Sequence, residues 1–117
     1  VYRVAEIFER QKDVEILKKQ DYIKEPNYNG YRSLHLDTRI PVYLSDRTEY
    51  VVAEIQLRTI AMDFWASLEH DIRYKVDKNK LPGGINEEML NCAGKIAEID
   101  RQMQDMYRRI KAAEKAD

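Results

Sequence analysis

Asn29-Gly30-Tyr31-Arg32-Ser33-Leu34-His35-Leu36 and, beyond a polar turn, Val51-Val52-Ala53-Glu54-Ile55-Gln56-Leu57-Arg58-Thr59 read as the two arms of a β-ribbon around which the chain is organised. Both arms alternate with period two, the mark of strands that bury one face and leave the other for chemistry. In the second arm Val51, Ala53, Ile55 and Leu57 point one way, so Val52, Glu54, Gln56 and Arg58 point the other. A carboxylate, an amide and a guanidinium therefore line up. In the first arm Leu34, Leu36, Thr38, Ile40 and Val42 share a face, which leaves His35, Asp37 and Arg39 opposite. Pro41 cannot donate to a ladder, so this arm either has an open edge there or ends early. Ser45-Asp46-Arg47-Thr48 is short and polar enough to reverse the chain, which favours antiparallel pairing. Given a suitable register, His35 and Glu54 share a surface, and the active site is expected there.

The lead-in, Lys24-Glu25-Pro26-Asn27-Tyr28-Asn29-Gly30-Tyr31-Arg32, carries loop markers at Pro26 and Asn29-Gly30 and delivers two tyrosines and two cations to the start of a strand. Taken singly, each polar residue here reads as a solvent-facing side chain. Together, aromatic rings and cations beside a carboxylate suit a planar base, its phosphates and a metal ion.

These residues resemble the synthetase domain of the RelA/SpoT homologues, most closely the small alarmone synthetases. The matching segments are Y-I-K-E-P-N-Y-N-G-Y-R-S-L-H (Tyr22 to His35) and E-I-Q-L-R-T-I-A-M-D-F-W-A-S-L-E-H (Glu54 to His70), followed by Tyr74-Lys75. The resemblance implies an α+β, nucleotidyltransferase-like fold, a mixed or antiparallel sheet flanked by helices with further helices at the C-terminus. It also implies an enzyme that transfers pyrophosphate from ATP to the 3′-hydroxyl of GTP or GDP with Mg2+, in the cytoplasm and as a homotetramer. By motif position, Glu54 matches the glutamate that helps hold Mg2+ near the attacking hydroxyl, and Tyr31 matches the tyrosine that stacks on guanine. Asn29, His35, Gln56 and Arg58 match positions near the guanine nucleotide. Where family members often carry a lysine after the loop proline, this chain has Asn27, and Lys24 is the candidate substitute for a phosphate contact. The family's D-x-x-G-x-R segment and the upstream basic residues that bind ATP do not lie within these residues. Residues 1–80 are thus expected to form the guanine-nucleotide side of a synthetase domain, with 81–117 a C-terminal helix of the same domain. A regulatory module that binds guanine nucleotide without transferring anything is the alternative.

With 117 residues the chain can bury one core. Its 20 basic and 21 acidic residues leave a net charge of -1, which gives no support to a general nucleic-acid binder. Cys92 is the single cysteine, so no internal disulfide or multi-cysteine metal site can form, as suits a reducing compartment. No apolar run is long enough to span a membrane. Neither His35 nor His70 sits in an H-E-x-x-H spacing, and His70 reads as structural.

Val1, Val4, Ala5, Ile7 and Phe8 fall at helical spacing, a helix expected to pack on the sheet. No capping residue precedes it, so upstream sequence is expected. Val14, Ile16, Tyr22 and Ile23 read as a strand leading into the loop, with a helical reading of Glu15 to Gln20 open. Thr59 is placed to cap a helix whose core stripe is Ala61, Phe64, Trp65, Leu68 and Ile72. After Pro82-Gly83-Gly84, Asn86 is the expected cap of a long helix with Glu87 and Glu88 in its first turn. Its apolar positions, Met89, Cys92, Ile96, Ile99, Met103, Met106 and Ile110, step by threes and fours and want a partner helix, either the preceding one or one from another subunit.

Overall fold

The computed structural model describes residues 1–116. In chain order it contains helix α1 (Tyr2–Glu9), strands β1 (Glu15–Asp21), β2 (Leu34–Tyr43) and β3 (Thr48–Leu57), helix α2 (Ile60–Tyr74), a 3-10 turn at Lys78–Lys80 and helix α3 (Ile85–Lys115). The chain divides into two compact units, Val1–Thr59 and a second that begins at Ile60. The fold class is α+β, as expected.

In the first unit the sheet order is β1-β2-β3, and both pairings are antiparallel. The ribbon's register runs from Leu34 opposite Leu57 to Tyr43 opposite Thr48 without a break. The inward face therefore carries Leu34, Leu36 and Thr38 from β2 and Ala53, Ile55 and Leu57 from β3, as the alternation predicts. Leu34 and Leu36 are wholly buried with Ala5 of α1, and Val1, Phe8, Ile16, Ile23, Ile55 and Leu57 pack around them. Thr38, also buried, satisfies its hydroxyl by donating to the Ala53 carbonyl oxygen at 2.8 Å. Ser33 is the exception. Its buried hydroxyl has no hydrogen-bond partner among the described residues, a defect that costs about 1–3 kcal/mol where it occurs.

Pro41 is tolerated in the central strand because β1 stops short of it. The last β1 partner is Arg39, so β2 faces an open edge at Pro41 and loses no ladder bond on that side. The reversal spans Leu44 to Arg47, closed by the Leu44 amide donating to the Arg47 carbonyl at 2.8 Å. The strand reading of Glu15 to Asp21 holds. A register shift between Ile16 and Lys18 inserts Leu17 as an extra residue, and a bulge of this kind interrupts strict alternation. That is why the same residues also admit a helical reading.

In the second unit α2 and α3 pack together, and the buried residues differ from the expected stripes. From α2 they are Met62 and Trp65, while Phe64 is 75% exposed and Leu68 is also exposed. From α3 they are Met89, Ala93 and Ala97. Two alanines one turn apart let a neighbouring helix approach closely, and the Trp65 indole N–H donates to the Met89 carbonyl at 2.8 Å. The seam predicted through Cys92, Ile99 and Met103 is thus rotated away from α2. Length explains the rest: α3 has 31 residues and α2 has 15, roughly 46 Å against 22 Å at 1.5 Å per residue. Ile99, Met103, Met106 and Ile110 remain exposed. The start of α3 also differs from expectation. Gly84 is the cap, in the left-handed region at φ 79° with no side-chain hydrogen bond, so Asn86 falls inside the helix. Only glycine adopts that conformation without strain. Glu87 and Glu88 do occupy the first turn. No helix among the described residues is long and apolar enough to cross a membrane.

Candidate functional site

The loop between β1 and β2 fixes the first part of the site through its own backbone. The Gly30 amide donates to the Asn27 carbonyl at 2.9 Å, and the Asn27 amide donates to the Tyr31 carbonyl at 3.0 Å. Gly30 sits at φ 95°, a conformation that disfavours any side chain. Asn29 uses its side-chain oxygen to accept from the Tyr31 amide at 3.0 Å, so this residue shapes the turn that presents Tyr31. Asn27, in place of a lysine, accepts from the Tyr28 amide at 2.9 Å.

The outward face of the ribbon supplies the rest. His35 lies opposite Gln56, and Asp37 lies opposite Glu54. Across the diagonal, His35 Nδ1 comes within 3.4 Å of Glu54 Oε1. Gln56 Nε2 donates to that same oxygen at 2.6 Å. The Tyr31 hydroxyl lies 3.4 Å from His35 Nε2 and 3.5 Å from Gln56 Oε1, and it accepts from Arg58 at 2.9 Å. The Arg58 guanidinium also lies 5.8 Å from the Tyr31 ring centre, within cation–π range. Five residues are thereby joined, one from the loop, three from the two strands and one just past the end of β3: Tyr31, His35, Glu54, Gln56 and Arg58. Asn29 belongs to the group through the backbone it holds.

Lys24 is placed elsewhere. Its ammonium lies 5.8 Å from the Tyr2 ring centre, and its backbone is pinned by Asp21. One Asp21 oxygen accepts from the amides of Ile23 and Lys24 at 2.9 and 3.0 Å, which turns the chain at the end of β1. The Tyr2 hydroxyl donates to the two Asp21 oxygens at 3.0 and 2.8 Å. Partial burial and the hydrogen bond to a negative acceptor push the Tyr2 hydroxyl from 10.0 up to about 12. For Asp21, burial raises the carboxyl, but the bonds from the Lys24 amide, the Tyr2 hydroxyl and the Ile23 amide outweigh it and hold the group below its usual 3.8.

Sequence reading missed four residues of this region: Tyr2, Asp21, Tyr22 and Asp37. Alternation already put Asp37 on the His35 face, and only the register was lacking to set it against Glu54. Tyr22 reads as a strand residue, yet its ring meets the His35 ring edge-on at 5.1 Å. His70 lies on α2, with its ring 4.7 Å from Tyr74. No set of three acidic, histidine or cysteine side chains converges as a metal cage among the described residues.

A small antiparallel sheet backed by a helix, with a carboxylate, an imidazole, a guanidinium and a loop tyrosine gathered on its outer face, defines an α+β domain with a polar face. The chain belongs to the RelA/SpoT family: the region found in RelA and SpoT proteins matches residues 1–79. Among curated relatives, the GTP pyrophosphokinase YwaC of Bacillus subtilis is 48% identical over 103 residues, 88% of this chain and 49% of the relative. The crystal structure of small alarmone synthetase 2 from Bacillus subtilis superposes with a TM-score of 0.85 at 46% identity, over 93% of this chain and 59% of that one. Small alarmone synthetase 1 from the same organism, bound to its product pppGpp, gives a TM-score of 0.79 at 30% identity, over 94% and 55%. The chain spans about half the length of the curated relatives it matches.

The Tyr2–Asp21 contact makes a pH-dependent contribution whose sign is fixed by the two shifts. The raised Tyr2 group stabilises the fold fully below pH 10 and loses that effect as pH climbs toward about 12. The lowered Asp21 group stabilises above its ordinary 3.8 and loses that effect as pH falls below it. Tyr2→Phe should therefore cost up to about 1 kcal/mol at neutral pH, the size of one part-exposed hydrogen bond. The gap between wild type and variant should narrow above pH 10 and again in strong acid. Denaturant titrations across pH measure it, and a gap that widens at either end contradicts the assignment.

Proposed function

We propose that this chain carries the guanine-nucleotide side of a (p)ppGpp synthetase, which transfers pyrophosphate from ATP to the 3′-hydroxyl of GTP or GDP. The observation that carries the reading is the joined face of Tyr31, His35, Glu54, Gln56 and Arg58, supported by family membership and by the names of the relatives. In this reading the Tyr31 ring stacks on guanine, a contact worth about 1–3 kcal/mol per base elsewhere. Arg58 meets phosphate as a planar donor fork, and Asn29 holds the turn that aims Tyr31. His35 and Gln56 line the platform between base and carboxylate. Lys24, outside the cluster and over Tyr2, reaches phosphate only from the rim.

Glu54 is the catalytic and metal-binding residue of the proposal. Its carboxylate can accept the hydroxyl proton or ligate a hard cation. Mg2+ fits the donors present: Glu54 and the facing Asp37 offer hard oxygens, and Mg2+ characteristically takes one or two carboxylates and completes its shell with phosphate oxygens and water. When bound, it would neutralise charge that builds on the transferring group.

Residues 1–80 are proposed as the synthetase portion and 81–117 as the C-terminal helix that contributes to a homo-oligomer, a tetramer as the resemblance to the small synthetases implies. The exposed run Ile99, Met103, Met106 and Ile110 supports this assembly, because large apolar patches usually mark interfaces. A cytoplasmic setting, where ATP and GTP are available, completes the reading. A guanine-binding module without transfer is the competing one, and formation of (p)ppGpp by the full-length protein separates the two.

Glu54→Gln should abolish synthesis, at least about a hundredfold in kcat, and leave guanine-nucleotide binding nearly intact, since the amide keeps the shape and loses the charge. Near-normal product formation would sink the role given to Glu54. Tyr31→Ala should weaken GTP and GDP binding more than ATP binding in calorimetric titrations; equal losses would make Tyr31 a packing residue. Ile99→Glu or Met103→Glu should lower the particle mass seen by light scattering, because an unpaired charge is costly at a buried interface. A monomeric wild type would remove the interface.

A further inference from the structure

Glu54 stands on an edge strand with its side chain 46% exposed, a setting in which a carboxylate ordinarily samples several rotamers. Two nitrogens meet at one of its oxygens, Oε1: Gln56 Nε2 donates to it at 2.6 Å, and His35 Nδ1 stands beside it at 3.4 Å. Neither contact involves Oε2. His35, by contrast, is well fixed. It lies on the central strand, paired to Gln20 on one side and Gln56 on the other, and its side chain is only 15% exposed. Its ring meets two aromatic neighbours, Tyr22 at 5.1 Å and 73° and Tyr31 at 5.9 Å and 69°. Both are edge-on geometries favoured by ring quadrupoles.

The hydrogen-bond directions along this row are consistent with one another. Arg58 donates to the Tyr31 hydroxyl, and that hydroxyl can donate to His35 Nε2. The tautomer that carries its proton on Nδ1 leaves Nε2 to accept and turns the proton-bearing nitrogen toward Glu54 Oε1, 3.4 Å away. A single tautomer serves both contacts.

We propose that His35 is a positioning residue that links the guanine platform to the reacting end of the site: Nδ1 locks Glu54 through Oε1 so that Oε2 is the working oxygen, and Nε2 fixes the Tyr31 hydroxyl. Tyr22 serves as the edge-on ring contact that keeps the imidazole in place. The inference rests on the synthetase reading and deepens it, since it assigns separate tasks to the two ring nitrogens. Contacts of 3.4 Å are long for hydrogen bonds, and such contacts commonly tighten when substrate binds.

The two nitrogens can be tested separately, because an asparagine amide overlies Nδ1 and a glutamine amide overlies Nε2. In the full-length protein, His35→Asn should keep kcat within about threefold and weaken guanine-nucleotide binding by about threefold or more. His35→Gln should do the reverse, with kcat down about tenfold or more and affinity within about twofold, as lost positioning contacts usually cost 10- to 100-fold. Binding is read as the GDP dissociation constant in EDTA, which does not depend on turnover. Tyr22→Leu leaves every hydrogen-bonding atom of His35 and Glu54 in place and should still lower kcat about threefold or more through a loosened ring. Equal effects of the two His35 variants on both quantities, or an unchanged kcat in Tyr22→Leu, would overturn the proposal. Should wild type form no (p)ppGpp, the synthetase reading fails on its own terms. The order of the GDP affinities of His35→Asn and His35→Gln then still supports or overturns the link between His35 and Tyr31.

Discussion

The register between β2 and β3 is the constraint on which the rest depends. Leu34 opposite Leu57 and Leu36 opposite Ile55 place the apolar halves of both strands against Ala5 and Phe8 of α1. The same pairing sets His35 beside Gln56 and Asp37 beside Glu54 on the other face. A slip of one residue would move every side chain of the slipped strand to the wrong face. It would expose Ile55 and Leu57 and drive Glu54 and Gln56 into the core, at a cost of several kcal/mol for each uncompensated charge. Burial on one face therefore enforces the geometry of the site on the other.

How much of this was legible follows from what each signal encodes. Period-two alternation names the faces of a strand, so the inward leucines and the outward His35, Glu54, Gln56 and Arg58 could be read without coordinates. The ribbon's turn residues implied antiparallel pairing, but the register also needs the number of residues in the reversal. Leu44 to Arg47 settles it, and with it the facing of Asp37 and Glu54. Long-range ring contacts such as Tyr22 on His35 have no local signature at all. In α3 the period was clear and the phase was not. Sequence spacing favoured Met89, Cys92, Ile96 and Ile99, whereas helix packing chose Met89, Ala93 and Ala97 because small side chains admit the closer approach. Asn86 was a chemically sound cap that lost to Gly84, whose left-handed backbone starts the helix two residues earlier.

Division of labour within the loop explains why a match of motifs alone cannot rank its residues. Asn29 and Gly30 are spent on the backbone, one accepting from the Tyr31 amide and the other supplying a positive φ. Tyr31 inherits its aim from both. Asp21 plays a similar part at the other end of the loop, where it ties the Ile23 and Lys24 amides to Tyr2 of α1. Helix α1 thus connects to the loop through this turn, and residues outside the cluster set where the clustered ones are held.

Electrostatics gives the proposed chemistry its sharpest requirement. The chain is almost neutral, with a net charge of -1, so no general field draws a polyphosphate in. Attraction must come from local groups, and the guanidinium of Arg58 is the one built into the cluster. Glu54 and the facing Asp37 act against it. Two unit negative charges about 4 Å apart repel by roughly 4 kcal/mol at the effective dielectric of a protein surface, and a phosphate brought to Glu54 would meet that repulsion. A divalent cation between carboxylate and phosphate reverses the sign of both contacts, whereas a bare carboxylate serves only the neutral hydroxyl. Under the proposed function, the charge balance of this face therefore calls for a cation whenever phosphate is brought to Glu54, and the base and ribose would fall to Tyr31, His35 and Gln56.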